Sequence, residues 1–535
     1  MLTKDEQDAL QRLSVFRGEF SRAAAEAVTG VSLLTMAALV EKSLLQTVHR
    51  GYYQMHELLR QYSAERLQAQ KAEEEEIRDR HAGFYCGYLE RRSAELQCGR
   101  QQNALMALNH ERANLQSAWE RATARRNLAQ IARAMDGLGR YYEWTGNLTG
   151  GAAAFALIGD DLGYPADGES RRTQAHALAW AANFERMSGR TDVAKEQLTQ
   201  SHALLDELAA AGVDVRRQRA LALLHQGHLL QPSDLDAAAQ AYRRSGEYYQ
   251  EIGLRWEAAT ADAWLGETAR VIGYTGQAIA LLRRAQTVFD EYGDQRSVAM
   301  VLENIARAYL LDRADLDLAL ETAQASLELR RRSGDRVGIA TTLLAVSYVH
   351  CWLNQPEAAK PLVEEALAIA RELGHRAVEC EAHYIAMVVF NYLEAAEQKR
   401  EIGERGLALA REMGDVPLMG NFLRSLGNQA LIRGDYQTAH AMHVEAFEIQ
   451  AQAGIQVMLP WLHVVRAYSS WKIGMLDDAH DHISAALRAS VERSDAYTAV
   501  HALLFVAQVV ATQGDLTRAV EIGATAHHAS LWQKS

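Results

Sequence analysis

The sequence has few prolines, few cysteines and no long apolar run. Only 6 of its 535 residues are proline, so little interrupts helix formation along the chain. The four cysteines (Cys86, Cys98, Cys351 and Cys380) have no metal-binding spacing and are too sparse for a disulfide framework. Because no stretch of 18 apolar residues occurs and the first residues lack an apolar signal core, we expect a cytoplasmic protein that neither is secreted nor spans a membrane.

Acidic residues outnumber basic ones, 68 to 56, and the motifs of common enzymes are absent. The net charge of −12 is spread along the chain, which argues against a nucleic-acid or anionic-membrane binder. The sequence contains no Gly-x-x-x-x-Gly-Lys-Ser/Thr phosphate loop and no Gly-x-Ser-x-Gly nucleophile elbow. Among the polar clusters, Asp477, Asp478, His480, Asp481 and His482 are interpreted as a solvated helix surface, with only Asp478 and His482 sharing one face. We therefore expect no enzyme, no cofactor and no metal site.

What the sequence does have is a glycine repeat of about forty residues. Glycine accepts the left-handed conformation just past a helix end, and Asp caps the helix that follows. One series of such marks is Gly253, Gly293-Asp294, Gly334-Asp335, Gly374-His375, Gly414-Asp415, Gly454 and Ser494-Asp495. A second series, half a period away, is Gly189, Gly273, Gly434-Asp435, Gly474 and Gly514-Asp515. Two helix ends per period predict two antiparallel helices per repeat and a helical solenoid.

Small residues recur within each period and predict close helix packing. Pairs twelve residues apart are Gly227 with Ala239, Gly266 with Ala278, Gly427 with Ala439, Ala467 with Ala479, and Ala507 with Ala519. This pattern resembles the tetratricopeptide repeat, which implies an all-α fold, a right-handed α-solenoid superhelix of about nine repeats over residues 171–535. A degenerate helical repeat is expected over residues 125–170. Two repeats depart from the pattern, because Lys399 replaces the expected alanine and Pro361 should delay or kink its helix.

The first seventy residues have a different pattern. They predict helices over Asp5–Ser14, Ser21–Thr29 and Leu33–Ser43, a strand pair over Leu44–Val48 and Tyr52–Met55, and a last helix over His56–Gln70. Three helices followed by a β-hairpin predict a small winged-helix domain over residues 1–70. A DNA-reading winged helix needs a basic third helix, whereas this one is mostly apolar and the segment holds 8 Lys/Arg against 8 Asp/Glu. Direct DNA contact is kept only as a weak third hypothesis.

Motifs in this segment resemble a part of the STAND signalling ATPases. Residues 12–20, 38–45 and 53–62 are similar to the winged helix that follows the nucleotide-binding domain in bacterial LuxR/MalT-type and AfsR-type regulators. Residues 71–124 then resemble the helical arm that joins this winged helix to the repeats. The resemblance implies that Met55-His56-Glu57 corresponds to the Met-His-Asp motif, so that His56 is a nucleotide-contact candidate when an ATPase core is present. Since the chain has no phosphate loop, it resembles the C-terminal part of such a protein, and we expect no tight ADP or ATP binding by the chain alone.

The first helix of each tetratricopeptide hairpin lines the concave groove, so the position after the small residue should point into it. The positions at this column and one turn later that we assign to a ligand or partner groove are Asn183, Arg186, His228, Glu267, Arg270, Arg307, Tyr348, Asn428, Tyr468 and Trp471. Two arginines one repeat apart, Arg270 and Arg307, suit recognition of a carboxylate or phosphate. The alternative is an internal salt bridge from Glu267 to Arg270 or to Arg307.

These patterns lead to two hypotheses of function. The first is a non-catalytic sensor and regulatory arm of a STAND-type ATPase regulator, which binds a small inducer or a protein or peptide partner in the groove and acts on an ATPase core encoded upstream. The second is a stand-alone tetratricopeptide adaptor for protein–protein interaction. An adjacent ATPase gene would favour the first hypothesis, and an unrelated neighbour would favour the second.

Overall fold

The structure is a computed structural model that describes residues 2–49, 51–159, 167–312, 315–456, 458–493 and 495–532. Over these residues the chain forms 27 helices and three short strands. It divides into two compact units. The first unit comprises Met1–Leu229, Tyr248–Leu254 and Tyr292–Asp294, and the second comprises Leu230–Glu247, Arg255–Glu291 and Gln295–Ser535.

The N-terminal segment of the first unit combines four helices with a small sheet. Its elements are α1 (Lys4–Leu13), β1 (Glu19–Ser21), α2 (Arg22–Thr29), α3 (Leu33–Glu41), β2 (Gln46–His49), β3 (Tyr52–Gln54) and α4 (Glu57–Gln68). The helices and the β2–β3 hairpin lie within a few residues of the positions that the sequence predicts. The three strands are antiparallel in the order β1-β3-β2.

Strand β1 was not predicted from the sequence. It pairs with β3 so that Phe20 lies opposite Tyr53. Phe20 is fully buried and its ring stacks on Phe16 at 4.4 Å between ring centroids. A strand of only three residues is too short to show an alternating pattern, and its position depends on the partner strand and on this aromatic contact.

A group of five helices follows in the first unit. They are α5 (Lys71–Leu96), α6 (Gln101–His110), α7 (Arg112–Ala124), α8 (Leu128–Thr145) and α9 (Leu148–Gly159). The long helix α5 packs against α7 and α8. Trp119 of α7 is buried, and its indole nitrogen donates to the carbonyl oxygen of Ala154 at 2.7 Å.

The remaining helices follow one another as nine pairs in chain order. They are α10 (Gly168–Met187) and α11 (Thr191–Ala210), α12 (Arg216–Leu230) and α13 (Leu235–Glu251), α14 (Arg255–Ile272) and α15 (Thr275–Tyr292), α16 (Gln295–Asp312) and α17 (Leu316–Ser333), α18 (Arg336–Trp352) and α19 (Pro356–Glu372), α20 (Arg376–Tyr392) and α21 (Ala396–Met413), α22 (Val416–Ile432) and α23 (Tyr436–Gln452), α24 (Leu459–Lys472) and α25 (Leu476–Arg493), and α26 (Ala496–Thr512) and α27 (Leu516–Trp532). We call the even-numbered helices from α10 onward the first helices and the odd-numbered ones the second helices.

The turns between these helices have the chemistry that the repeat predicts. Positive φ angles occur at Gly189, Gly253, Gly273, Gly293, Gly334, Gly374, Gly414, Gly434, Gly454, Gly474 and Gly514. Asp335 accepts from the Gly338 amide at 3.1 Å, and Asp435 accepts from the Thr438 amide at 3.2 Å. Asp495 also caps its helix, whereas Ser494 lies outside the described residues. Glycine and aspartate therefore end and start these helices locally, independently of what the helices pack against.

A small residue at the fourth position of eight of the nine second helices allows the two helices of a pair to approach closely. The alanines at this position are Ala194, Ala238, Ala278, Ala319, Ala359, Ala439, Ala479 and Ala519, all buried. A Cβ added to Gly266 would lie 2.9 Å from Leu282 Cγ and 3.2 Å from the Ala278 carbonyl oxygen, so glycine is required there. The predicted Ala239 is one residue out of register, because α13 begins at Leu235 and so places Ala238 fourth.

Two predicted departures from the repeat have different outcomes. Lys399 occupies the fourth position of α21, is only 6% exposed, and donates from Nζ to Asn391 Oδ1 at 2.7 Å. The expectation that Pro361 delays its helix is wrong. Helix α19 begins at Pro356 and continues through Pro361. Proline has no amide hydrogen to donate to the carbonyl oxygen four residues earlier, and here that carbonyl lies in the first turn, so the missing bond falls at the start of the helix.

Among the described residues no single helix is both long and apolar enough to cross a membrane. The two helices Arg22–Thr29 and Leu33–Glu41, which are bent relative to each other, are long and apolar enough only when taken together.

Candidate functional site

The first helices of the second unit pack directly on one another. Contacts join α14 to α16, α16 to α18, α18 to α20, α20 to α22, α22 to α24, and α24 to α26. We call the surface that these seven helices form the first-helix face, and it carries the predicted groove residues from Glu267 to Trp471.

A buried carboxylate, that of Glu303 in α16, is the centre of an ionic network on this face. Glu303 is 7% exposed and accepts from the guanidiniums of Arg307 at 3.0 Å and Arg330 at 2.9 Å. It also accepts from the hydroxyls of Thr341 at 3.0 Å and Thr342 at 2.9 Å. Burial opposes ionisation of Glu303, but the two guanidiniums outweigh burial and hold its pKa below the usual value.

Arg307 connects two first helices that are two pairs apart. Its guanidinium donates to Glu303 in its own helix α16, to Glu381 Oε1 in α20 at 2.5 Å, and to the Thr341 carbonyl oxygen at 3.3 Å. Burial would lower the pKa of Arg307, but Glu381 and Glu303 together raise it. The side chains of Arg307 and Glu381 are 21% and 22% exposed, so the ion pair can be reached from solvent.

The second predicted arginine, Arg270, is held within its own helix. Its guanidinium makes two hydrogen bonds to Glu267, at 2.9 and 2.7 Å. The internal Glu267–Arg270 salt bridge considered from the sequence is therefore present. Burial would raise the pKa of Glu267, but Arg270 and then Arg307 lower it, so both predicted arginines act on the same carboxylate. Each guanidinium thus has an internal carboxylate partner.

Aromatic residues continue the first-helix face beyond the ionic network. The Tyr348 ring lies 6.2 Å from the ring of Trp352 and 6.4 Å from that of Tyr384, which in turn contacts Phe422 at 5.7 Å. Burial, followed by the proximity of Tyr384, raises the pKa of the Tyr348 hydroxyl. Asn428 is partly buried farther along and makes no side-chain hydrogen bond within the described residues.

The predicted stacking residues Tyr468 and Trp471 form an aromatic cluster that holds a cation of the chain itself. Their rings lie 5.8 Å apart. The ammonium of Lys472 lies 4.3 Å from the Trp471 ring, 5.5 Å from that of Tyr468 and 5.6 Å from that of Tyr436. A cation within about 6 Å of several aromatic faces is attracted by each ring.

Three predicted groove residues belong to the first unit. Asn183 is fully buried, donates to Glu143 at 2.9 Å and accepts from Arg186 at 2.9 Å. Burial, followed by the charge of Arg186, lowers the pKa of His228 well below its usual value. The structure thus places Asn183 and Arg186 in contact, and His228 close enough to be influenced by that arginine.

The nucleotide-contact candidate His56 is the N-cap of α4. Its Nδ1 accepts from the Leu58 amide at 3.3 Å, and its side chain is exposed. In the same segment the exposed positions of α3 include Leu34, Ala37 and Glu41, and α3 contains no lysine or arginine. The surface of α3 is therefore unlike a basic recognition helix.

The polar cluster in α25 is only partly the solvated surface expected from the sequence. Asp477, His480 and Asp481 are exposed, but Asp478 and His482 face the preceding helix. Asp478 accepts from Arg466 at 3.0 Å, and His482 Nδ1 lies 2.6 Å from His463 Nδ1. Burial, followed by the neighbouring His482, lowers the pKa of His463 to about 4.

The sequence did not identify the residues that contact the predicted groove residues. The missed residues are Glu303, Arg330, Glu381, Tyr384, Tyr436 and Lys472. The spacing of Glu303 and Arg307, four residues apart on one helix, is a signal that indicates their ion pair. The pairing of Arg307 with Glu381 spans 74 residues and leaves no mark in the local sequence.

Comparisons with known proteins agree with this architecture. Residues 298–372 match the family model described as tetratricopeptide repeat. A comparison with curated protein sequences gives no match. The fold is similar to that of a Rap protein complexed with competence and sporulation factor, with a TM-score of 0.53 and 14% identity over 69% of this chain and 99% of that chain. At this identity the similarity concerns the fold alone.

Two further solved structures are more distant. One is a signal transduction ATPase with numerous domains (STAND) protein with a tetratricopeptide repeat sensor from Pyrococcus horikoshii, with a TM-score of 0.41 and 13% identity over 98% of this chain and 63% of that chain. The other is the apo form of the quorum sensor NprR from B. thuringiensis, with a TM-score of 0.44 and 14% identity over 70% of this chain and 97% of that chain. The predicted all-α, tetratricopeptide-type solenoid is confirmed as the fold class.

Proposed function

We propose that this chain is a non-catalytic, tetratricopeptide-type regulatory protein that binds a protein or peptide partner on the first-helix face of the second unit. The observation that carries the proposal is the Arg307–Glu381 ion pair, in which a carboxylate of the chain occupies a partly exposed guanidinium. A carboxylate of a partner has the same chemistry and can replace Glu381, while Arg307 keeps its contact with Glu303. The Rap protein of similar fold is complexed with competence and sporulation factor, so a protein of this fold can bind a partner.

The same face offers a second group for exchange. Lys472 occupies the aromatic cluster of Tyr468 and Trp471 in the way that a cationic group of a partner would. The acidic end of a peptide can therefore pair with Arg307, and a basic or aromatic residue of the same peptide can replace Lys472 in the aromatic cluster. Because both places are already occupied internally, binding exchanges contacts, and its affinity is set by the difference between the partner's contacts and those of Glu381 and Lys472.

We further propose that the chain acts as the sensor arm of a STAND-type ATPase regulator. The support is the element order α1-β1-α2-α3-β2-β3-α4, the Met55-His56-Glu57 motif and the helices α5 to α9 between that segment and the repeats. Regulation of this kind requires that the affinity of the first-helix face for its partner differs between two states of the ATPase. The competing function is a constitutive adaptor, for which nucleotide on an ATPase core would leave partner affinity unchanged.

Peptide binding with a defined probe tests the site. The probe is a fluorescent pool of random heptapeptides with free C-terminal carboxylates, compared with the same pool in amidated form. Glu381→Gln should bind the carboxylate pool more tightly, by at least about threefold, because the internal competitor loses its charge. Arg307→Lys should weaken binding by about tenfold.

Glu445→Gln is the matched control, because it removes the same charge from the exposed Arg411–Glu445 pair on two second helices. Equal binding of both pools, or equal effects of Glu381→Gln and Glu445→Gln, would exclude Arg307 as the anchor.

A further inference from the structure

Three metal-ligand side chains from separate elements meet in the first unit. Glu19 lies in β1, His49 ends β2, and His110 is the last residue of α6. One ligand atom from each residue lies within 4.8 Å of the others. Glu19 and His110 are partly buried, whereas His49 is exposed. The three residues are far apart in sequence, so their convergence results from the packing of the sheet against α6.

The spacing of these groups is close to that of a metal coordination sphere. His110 Nδ1 lies 2.8 Å from Glu19 Oε2, and the rings of His49 and His110 are 4.9 Å apart with an angle of 63° between their planes. Zinc bonds of about 2.0–2.1 Å in a tetrahedron place neighbouring ligand atoms about 3.3 Å apart. The ligand atoms here lie 2.8 Å apart for His110 and Glu19 and within 4.8 Å of one another for all three residues, so side-chain rotation can bring all three onto one ion.

Hydrogen bonds hold the backbone beside two of the three ligands. The side chain of Asn114 makes two of these bonds. Its Nδ2 donates to the Glu19 carbonyl oxygen at 2.7 Å, and its Oδ1 accepts from the Arg17 amide at 2.6 Å. Next to His110, the buried carboxylate of Glu111 accepts from the Ser21 amide at 2.9 Å. These bonds fix β1 to α7 and to the residue that follows α6, so Glu19 and His110 face each other before any ion arrives.

We propose that Glu19, His49 and His110 form a binding site for a divalent transition-metal ion, and that zinc is its ligand. Two imidazoles and one carboxylate are a donor set typical of zinc, whereas Mg²⁺ and Ca²⁺ prefer oxygen ligands. Bound zinc attaches the β2–β3 hairpin to the end of α6 through His49. The remaining coordination position is open to solvent beside the exposed His49.

Zinc binding to the full-length protein tests this site. The protein is first stripped with a chelator, and ZnCl₂ is then titrated in competition with a chromophoric chelator, with visible absorption of CoCl₂ as an independent measure of coordination. We expect one tight ion per chain. His49→Ala and Glu19→Gln should each weaken binding by at least about tenfold, and His49→Cys should restore binding because a thiolate also binds zinc.

A matched control separates this site from general surface histidines. His480 is exposed beside Asp481, and no third metal-ligand side chain joins them among the described residues, so His480→Ala should leave zinc affinity unchanged. Zinc should also slow amide exchange in β2 and β3 of the wild-type protein but not of His49→Ala. Zinc affinity that is unaffected by His49→Ala and Glu19→Gln, or reduced as much by His480→Ala, overturns the proposal.

Discussion

Arg307 and Glu381 form an ion pair at 2.5 Å that joins α16 to α20 on the first-helix face. Glu303 holds the other side of the same guanidinium and also accepts from Arg330. A largely buried network of this kind depends on each member, because removal of one leaves a charge with fewer partners in a site of low polarity. The face that we propose for partner binding is therefore also part of the framework of the second unit.

Alanine substitution of the two predicted arginines should have unequal effects on stability. Arg307→Ala leaves Glu303 and Glu381 with fewer partners and should destabilise the second unit by about 3–5 kcal/mol. Arg270→Ala removes a single pair within one helix and should cost about 1 kcal/mol. Urea unfolding, monitored by hydrogen exchange of the amides in α16 and α20, measures the difference in stability. Equal effects of both substitutions would show that the network around Glu303 does not couple the helices.

The buried lysine in α21 provides a prediction with a specific pH dependence. Burial, followed by the charge of Arg424, lowers the pKa of Lys399 to about 8 from 10.5. Between these values the unfolded chain binds a proton that folded Lys399 does not, so stability decreases as the pH falls from 10.5 to 8 and remains lower below pH 8. Lys399→Met keeps the length without the charge and should stabilise the protein by about 2 kcal/mol at pH 7.

The pH series distinguishes a charge effect from improved packing. The advantage of Lys399→Met should be complete below pH 8 and disappear as the pH approaches 10.5. Lys360→Met in the neighbouring α19 removes a lysine at an exposed position and is the matched control. A constant advantage of Lys399→Met across the series would mean that the lysine is not destabilised by burial.

The fold was predictable because its signals are local. A glycine such as Gly434 ends one helix and Asp435 caps the next through bonds within four residues, so both are visible in the sequence alone. The register of the buried alanines was predicted less well. Ala238, rather than Ala239, is buried because the helix start at Leu235 decides which residue is fourth, and boundaries are set by a few competing bonds.

The partners within the candidate site were not predictable in the same way. Predicted groove positions such as Arg307 followed from the repeat, since they recur at one position of the first helices or one turn later. Its partner Glu381 is two helix pairs away, and whether the two side chains meet depends on the rotation between successive pairs. Likewise, Lys472 was not recognised as a partner for Trp471, because neighbouring residues in a helix normally point in different directions.

Two glycines of the second unit should respond oppositely to alanine. At Gly266 a Cβ would lie 2.9 Å from Leu282 Cγ and 3.2 Å from a backbone oxygen, so Gly266→Ala should separate α14 from α15 and cost about 1–3 kcal/mol. A Cβ added at Gly276 would meet no neighbouring atom within 4 Å, and Gly276→Ala should stabilise α15 by about 0.5–1 kcal/mol because alanine lowers the conformational entropy of the unfolded chain. Thermal melts of both variants provide the comparison. Destabilisation by Gly276→Ala as large as that by Gly266→Ala would contradict the close-approach argument.

His225 of α12 should make the first unit less stable in acid. It is 3% exposed, and neither ring nitrogen has a hydrogen-bond partner in the described structure. Burial, followed by the charge of Arg186, lowers the pKa of His225 to about 3. Below pH 6.5 the unfolded chain therefore binds a proton that the folded chain excludes, and stability decreases as the pH falls from about 6.5 to about 3.

Replacement of His225 by leucine removes both the unpaired nitrogens and the titration. His225→Leu should stabilise α12 by about 1 kcal/mol at pH 7. Its advantage should grow by up to about 1.4 kcal/mol for each pH unit below 6.5. Because repeat arrays unfold in parts, amide exchange of α12 is the appropriate measurement, taken at pH values from 7.5 to 5 and corrected for the intrinsic exchange rate. His480→Leu, at a histidine that is exposed rather than buried, serves as the control. If the advantage of His225→Leu does not change with pH, then His225 binds its proton equally in the folded and unfolded chain, and its burial imposes no acid sensitivity on the first unit.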